Sequence, residues 1–141
     1  MDLDGCPPLI PGDFDHDGDL DFSLANNNPS GTHALYRNQL PPAEAARAIQ
    51  VLVLDSRRRA TRAGAEVRVY AAGTRTLLGT GIVDSGGGYC AQNEMPVHVG
   101  LGTTPGKVDV EVTTLTGRRR AVTRRAGVEF HAGVIEVVRT P

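Results

Sequence analysis

Val108-Asp109-Val110-Glu111-Val112-Thr113 alternates apolar and polar side chains without a break. A period of two sets the valines on one face of an extended chain and the polar groups on the other, as in a strand with one side against a core. The same period recurs outward from this stretch. Val67 and Val69 alternate with Glu66, Arg68 and Tyr70. Ile49, Val51 and Val53 alternate with Gln50, Leu52 and Leu54, an apolar run suited to a strand covered on both faces. Further strands are expected near 77–83, 97–101, 119–124 and 134–138. Seven or eight short strands, rich in Val, Thr and Gly, with no Trp and no long helical period, predict an all-β protein whose body is a small sandwich or barrel-like domain. Asp109 and Glu111 fall on the exposed face of their strand, where a solvated role is expected rather than the paired acids of glycoside hydrolysis.

The second informative stretch is Asp13-Phe14-Asp15-His16-Asp17-Gly18-Asp19-Leu20-Asp21, five carboxylates in nine residues. Like charges this dense repel, so a folded loop of this composition calls for a cation. Oxygen ligands alone point to a hard metal, and the flexible shell of calcium suits the loop better than the tight octahedron of magnesium. The odd positions can turn inward together while Gly18 takes a positive φ at a sharp wrap around the ion. Asp13, Asp15, Asp17 and Asp21 are expected as side-chain ligands, with Asp19 giving its carbonyl and turning its carboxylate outward. An EF-hand is excluded: its bidentate Glu would stand at Leu24, and no helical pattern flanks the loop. His16 is expected to face solvent.

The run "GDFDHDGDLDFSLAN" followed by "ALYRN" resembles one calcium-binding FG-GAP or VCBS repeat, the unit of integrin-α-like β-propellers, over residues 12–38. The resemblance implies an acidic loop linking two strands of a blade. Here strands are expected at about 21–26 and 33–38, with a turn at 27–31. A lone hairpin cannot bury its own apolar face. Phe14, Leu20, Phe22, Leu24 and Leu35 therefore need a neighbouring blade, the sandwich or another molecule, and the hairpin is expected either to dock on the sandwich or to be poorly ordered.

Residues 40–48, "LPPAEAARA", read as a linker with one helical turn. Beyond it, "RAGAEVRVYA", "SGGGYCAQNEMPVHVGLG" and "VDVEVTTLTG" resemble the ASPIC/UnbV domain over about residues 50–117, with a final strand to 138. The family usually has Trp-Pro-Ser-Gly where this chain has Thr114-Leu115-Thr116-Gly117, and Ser where it has Cys90. The resemblance implies secreted or adhesive proteins and no reaction. The expected organisation is a calcium-loop repeat at 1–39, a linker at 40–48 and the β domain at 49–141.

Composition bounds the remaining readings. Net charge is −1, but seven of the sixteen acids lie within the first 21 residues, and arginines crowd the rest. Arg57-Arg58-Arg59, Arg118-Arg119-Arg120 and Arg124-Arg125 could form an anion-binding face for a sulfated glycan or an acidic protein. Nucleic acid is disfavoured because stacking aromatics are not interleaved with the arginines. The histidines lack zinc-ligand spacing, and His98 within "VHVGLG" reads as a hydrogen-bonded packing residue. Asp84-Ser85-Gly86-Gly87 superficially resembles a serine protease nucleophile turn, but the chain is too short for the two barrels that scaffold requires. Cys6 and Cys90 allow one disulfide without establishing it. No stretch is long and apolar enough to span a membrane. The first residues, Met1-Asp2-Leu3-Asp4, carry no basic stretch or apolar core of the signal-peptide kind, although a loop of the acidic type suits millimolar extracellular or periplasmic calcium. The expectation is therefore a non-enzymatic, calcium-binding extracellular module at the C-terminal end of a longer exported protein, the rest of whose propeller is missing. The alternative is a glycan- or protein-binding accessory module of a larger secreted enzyme.

Overall fold

The computed structural model describes residues 9–25, 33–84, 86, 92, 96–104 and 106–141. Cys6, Cys90, Ser85 and the 27–31 turn lie outside them. The regular structure is strand apart from one short helix, in the order β1 (Leu9–Gly12), β2 (Asp21–Leu24), β3 (Ala34–Tyr36), α1 (Pro42–Ala45), β4 (Ala48–Leu54), β5 (Glu66–Ala71), β6 (Leu77–Ile82), β7 (Val97–Gly100), β8 (Lys107–Thr116), β9 (Arg119–Glu129) and β10 (Ile135–Arg139). The all-β expectation holds.

Two sheets make the body. One has the order β10-β4-β7, with β10 parallel and β7 antiparallel to the central β4; the other is antiparallel, in the order β6-β5-β8-β9. Alternation makes the core. Ile49, Val51 and Val53 of β4, Val67 and Val69 of β5, Val108, Val110 and Val112 of β8, and Val138 of β10 all fall in one buried cluster. Short β-branched side chains suit such a thin interior, since they pack on a pleated surface with little rotamer freedom to lose. At one edge the two sheets come together: a Cβ on Gly79 or Gly81 of β6 would stand 2.4 Å from a methyl of Val99 or Val97 on β7. Only glycine lets that strand lie so close.

β8 departs from the expected half-solvated strand. Glu111 is buried, with its carboxylate accepting from Arg124 Nε at 2.8 Å and standing 3.5 Å from Arg75. Burial pushes its pKa up, but the hydrogen bond and charge of Arg124, followed by Arg75, outweigh this and hold it below the ordinary value. Asp109 is also engaged, accepting the backbone N–H of Gly73 at 2.9 Å and of Gly127 at 2.8 Å. It pins the β5–β6 turn and a bulge in β9 to the same strand. The periodicity gave the correct face for both acids. It could not show that arginines and turns from neighbouring strands would cover that face.

Asp55, just after β4, organises the next turn. It accepts the backbone N–H of Arg57 and of Arg59, the Arg59 guanidinium and the Thr61 hydroxyl, all within 3.1 Å. The Arg59 N–H is the largest cause of a pKa lowered to about 2; burial opposes it, and the Arg59 side chain, Thr61 and the Arg57 N–H reinforce it. An unfolded aspartate titrates near 3.9, so the folded state binds fewer protons between those values. The stabilisation is complete above about pH 5 and fades as the pH falls towards 2. Asp55→Asn is therefore expected to flatten the acid limb of stability between about pH 4 and pH 2, as followed by urea midpoints at stepped pH. An unchanged slope would remove Asp55 as a pH-dependent anchor.

The strands β1, β2 and β3 form a separate antiparallel sheet in that order. Its first strand was not legible in the sequence, because "LIPG" is short and carries a proline. In its register Leu9, Leu24 and Ala34 lie side by side, as do Pro11, Phe22 and Tyr36, so all six share one face. Leu9, Phe22 and Tyr36 are 40–48% exposed. The sheet leaves this apolar face largely uncovered. It is held to the body instead through the loop between β1 and β2.

Candidate metal centre

That loop is the acidic nonapeptide, folded between Gly12 and Asp21, which face each other at the end of the β1–β2 ladder. His16 and Gly18 both take positive φ, 61° and 102°, so the chain coils back on itself. The sharp wrap expected at Gly18 is present. Carboxylate oxygens of Asp13, Asp15 and Asp17 come within 4.8 Å of one another. Asp13 is buried, whereas Asp15 and Asp17 open towards solvent. Arg37, itself largely exposed, reaches Asp15 and lies 3.6 Å from Asp17.

The other two acids divide their work differently from the expectation. Asp21 is not in the cluster of three: its two oxygens accept the backbone N–H of Phe14 at 3.2 Å and of Asn38 at 2.8 Å. It closes the loop and ties it to the chain leaving β3. Asp19, expected to turn outward, is buried. One oxygen accepts the Leu40 N–H over a long 3.4 Å, and the other, Oδ1, is buried with no hydrogen-bond partner among the described residues. Burial, then the negative charge of Asp17, push the Asp19 carboxyl above its ordinary range; the Leu40 N–H opposes this, and Asp21 and Asp15 add to it. A carboxyl raised by burial and by like charges either takes up a proton or gains positive charge nearby.

The sandwich completes the surroundings. Gln50, buried in the middle of β4, donates from Nε2 to Asp13 Oδ2 at 2.6 Å, and the Gly18 N–H donates to the same oxygen at 3.1 Å. His98 Nε2 lies 2.9 Å from the Gly18 carbonyl, which can only accept, so this nitrogen carries the proton. The expectation that His98 is a hydrogen-bonded packing residue agrees with this contact. A Cβ on Gly18 would stand 2.6 Å from the Ala45 carbonyl, and one on Gly133 would stand 2.6 Å from the His16 carbonyl. The loop is thus pressed between the linker helix α1, the turn before β10 and the outer face of the β10-β4-β7 sheet. Gln50 was a missed participant, although a signal existed: it is the polar interruption of the otherwise apolar strand Ala48–Leu54.

The arginine clusters are partly engaged within the fold. Arg59 pairs with Asp55, Arg124 with Glu111, and Arg120 reaches the Thr113 hydroxyl. Among the described residues no helix is long and apolar enough to cross a membrane.

The seven strands described in the body and the order of their motifs define a small all-β domain. The profile of the ASPIC and UnbV family matches residues 55–129, more than half of the chain, and the protein belongs to that family. The match runs from Asp55 to the end of β9, starting after and ending beyond the 50–117 read from the sequence. Comparison with curated proteins yields no match.

Proposed function

We propose that this protein is a non-enzymatic, calcium-binding module of a secreted or cell-surface protein of adhesion type. Its N-terminal part, residues 1–39, acts as an FG-GAP/VCBS-like repeat joined by the 40–48 linker to the ASPIC/UnbV domain. The observation that carries the reading is the convergence of Asp13, Asp15 and Asp17 oxygens within 4.8 Å; in the same loop a buried Asp19 oxygen lacks a hydrogen-bond partner among the described residues. Asp13, Asp15 and Asp17 would hold the ion, with Asp19 close by, and calcium fits an all-oxygen set built on a flexible loop. The ion would neutralise the loop and replace Arg37 as its principal counter-charge. Asp21 serves the loop as a structural closure.

The role of calcium is structural. A ligand that binds only the folded state adds RT ln(1 + [L]/Kd), about 2.7 kcal/mol when its concentration is 100 times Kd. The loop's stability then follows the free calcium of its compartment. An extracellular or periplasmic setting, where calcium is millimolar, supplies that support.

Calorimetric titration of calcium into the wild type and into Asp15→Ala/Asp17→Ala tests the proposal. Saturable heat in the wild type, lost in the double variant while its strands stay folded, is the expected result. No calcium heat in the wild type contradicts it.

A further inference from the structure

Gln50 and His98 are direct cross-strand partners on β4 and β7, so their side chains leave the same face of the sheet side by side. Both reach the acidic loop, Gln50 at Asp13 Oδ2 and His98 at the Gly18 carbonyl. One polar pair of the ASPIC/UnbV sandwich therefore grips the loop at a carboxylate and at its sharpest bend. A second feature points to a ligand at this place. Gln50 is only 4% exposed, and while its Nε2 holds Asp13, its Oε1 is buried with no hydrogen-bond partner among the described residues. A buried amide carbonyl without a donor, on the same side chain that holds Asp13, is costly unless a donor or a cation satisfies it.

We infer that Gln50 and His98 are positioning residues of the cation site, through which the sandwich sets the ion affinity of the loop and the ion in turn fastens the loop to the sandwich. This rests on the calcium reading above. Gln50 fixes the rotamer of Asp13 by occupying Oδ2 together with the Gly18 N–H. His98 holds the backbone at Gly18, where φ of 102° turns the loop. Partners of this outer kind change metal affinity by about 10- to 100-fold when removed. Linkage is reciprocal: whatever the docked sandwich contributes to ion affinity, the bound ion returns to docking.

The test uses the full chain with calcium chloride as the probe. Calorimetric Kd values are measured for the wild type, Gln50→Leu, His98→Leu and His98→Gln, the last because a glutamine Nε2 can donate from nearly the same place. Hydrogen exchange in calcium and in chelator reports the loop and, separately, β5 and β8. Gln50→Leu and His98→Leu are expected to raise Kd about 10-fold, and His98→Gln to stay within about 2-fold of the wild type. Exchange in β5 and β8 stays unchanged in all of them, and calcium slows exchange in the loop far less in the two leucine variants. Wild-type binding with Kd values for both leucine variants within about 2-fold overturns the inference and leaves the calcium reading standing. Wild-type protein that takes up no calcium overturns both. Should the leucine variants lose protection in β5 and β8, His98→Gln decides: near-native affinity supports the clamp, and a Kd raised as far as that of the leucine variant, with β5 and β8 intact, overturns it.

Discussion

Gly18→Ala is expected to lower stability by about 2–4 kcal/mol and to abolish calcium binding. Two penalties combine. At φ of 102° an L side chain is strained by about 1–2 kcal/mol, and the new methyl would stand 2.6 Å from the backbone carbonyl of Ala45. Backbone atoms cannot step aside as a flexible side chain does, so overpacking adds about 1–3 kcal/mol. The chain relieves the clash only by lifting the loop from α1, which breaks the His98 contact at Gly18 and the Gln50 contact at Asp13. Gly64→Ala provides the comparison, because its φ of 82° is similarly left-handed while no atom lies within 4 Å of the added Cβ. That variant keeps its calcium site and loses only the conformational part. Urea unfolding of the two variants, with calcium titration of each, measures the difference. Equal losses and intact binding in both would mean that the loop is not packed against the linker helix.

The second large effect separates a structural carboxylate from ion ligands. Asp21→Ala is expected to destabilise the N-terminal sheet by roughly 3 kcal/mol, in chelator as well as in calcium. Each of its two oxygens accepts a backbone N–H, from Phe14 and Asn38, inside a buried site, and hydrogen bonds to a charged group contribute about 1.5–3 kcal/mol apiece. Asp15→Asn behaves in the opposite manner. In chelator it changes little, because Asp15 is partly exposed, its pairing with Arg37 is at the surface, and one repelling charge is gone. In calcium it loses the stabilisation conferred by the ion. Unfolding curves of both variants in 5 mM calcium, a concentration on the order of extracellular levels, and in chelator check the assignment. Asp21→Ala that is harmless in chelator would return Asp21 to the ligand set.

Much of the body was legible because strand periodicity is a local property. Val108–Val112, Val67–Val69 and Ile49–Val53 sit where alternation put them, in one shared core. Two kinds of feature were not legible. Strand ends depend on partners: β9 runs to Glu129 because its antiparallel neighbour β8 is long enough to pair with it, and β1 exists because Leu9–Gly12 finds β2. Face assignments depend on what covers a face, and Glu111 looked solvated until Arg75 and Arg124 were seen to close over it.

The candidate site divides the same way. Charge density and spacing in the nonapeptide pointed to Asp13, Asp15 and Asp17 and to the turn at Gly18, all set by residues close in sequence. The orientations of Asp19 and Asp21 were not legible because they depend on Leu40 and Asn38, about twenty residues further along. Gln50 and His98 lie further still, and nothing in the spacing of the loop could have named them.

The central claim is that the acidic loop, held on the outer face of the β10-β4-β7 sheet, is a calcium site. Diffraction from crystals grown in calcium, with an anomalous difference map at a long wavelength, tests it most directly. The account predicts one peak bounded by Asp13, Asp15 and Asp17, with Gln50 and His98 still on the loop. A map without a peak there, with Arg37 still on Asp15 and the three carboxylates unmoved, contradicts it.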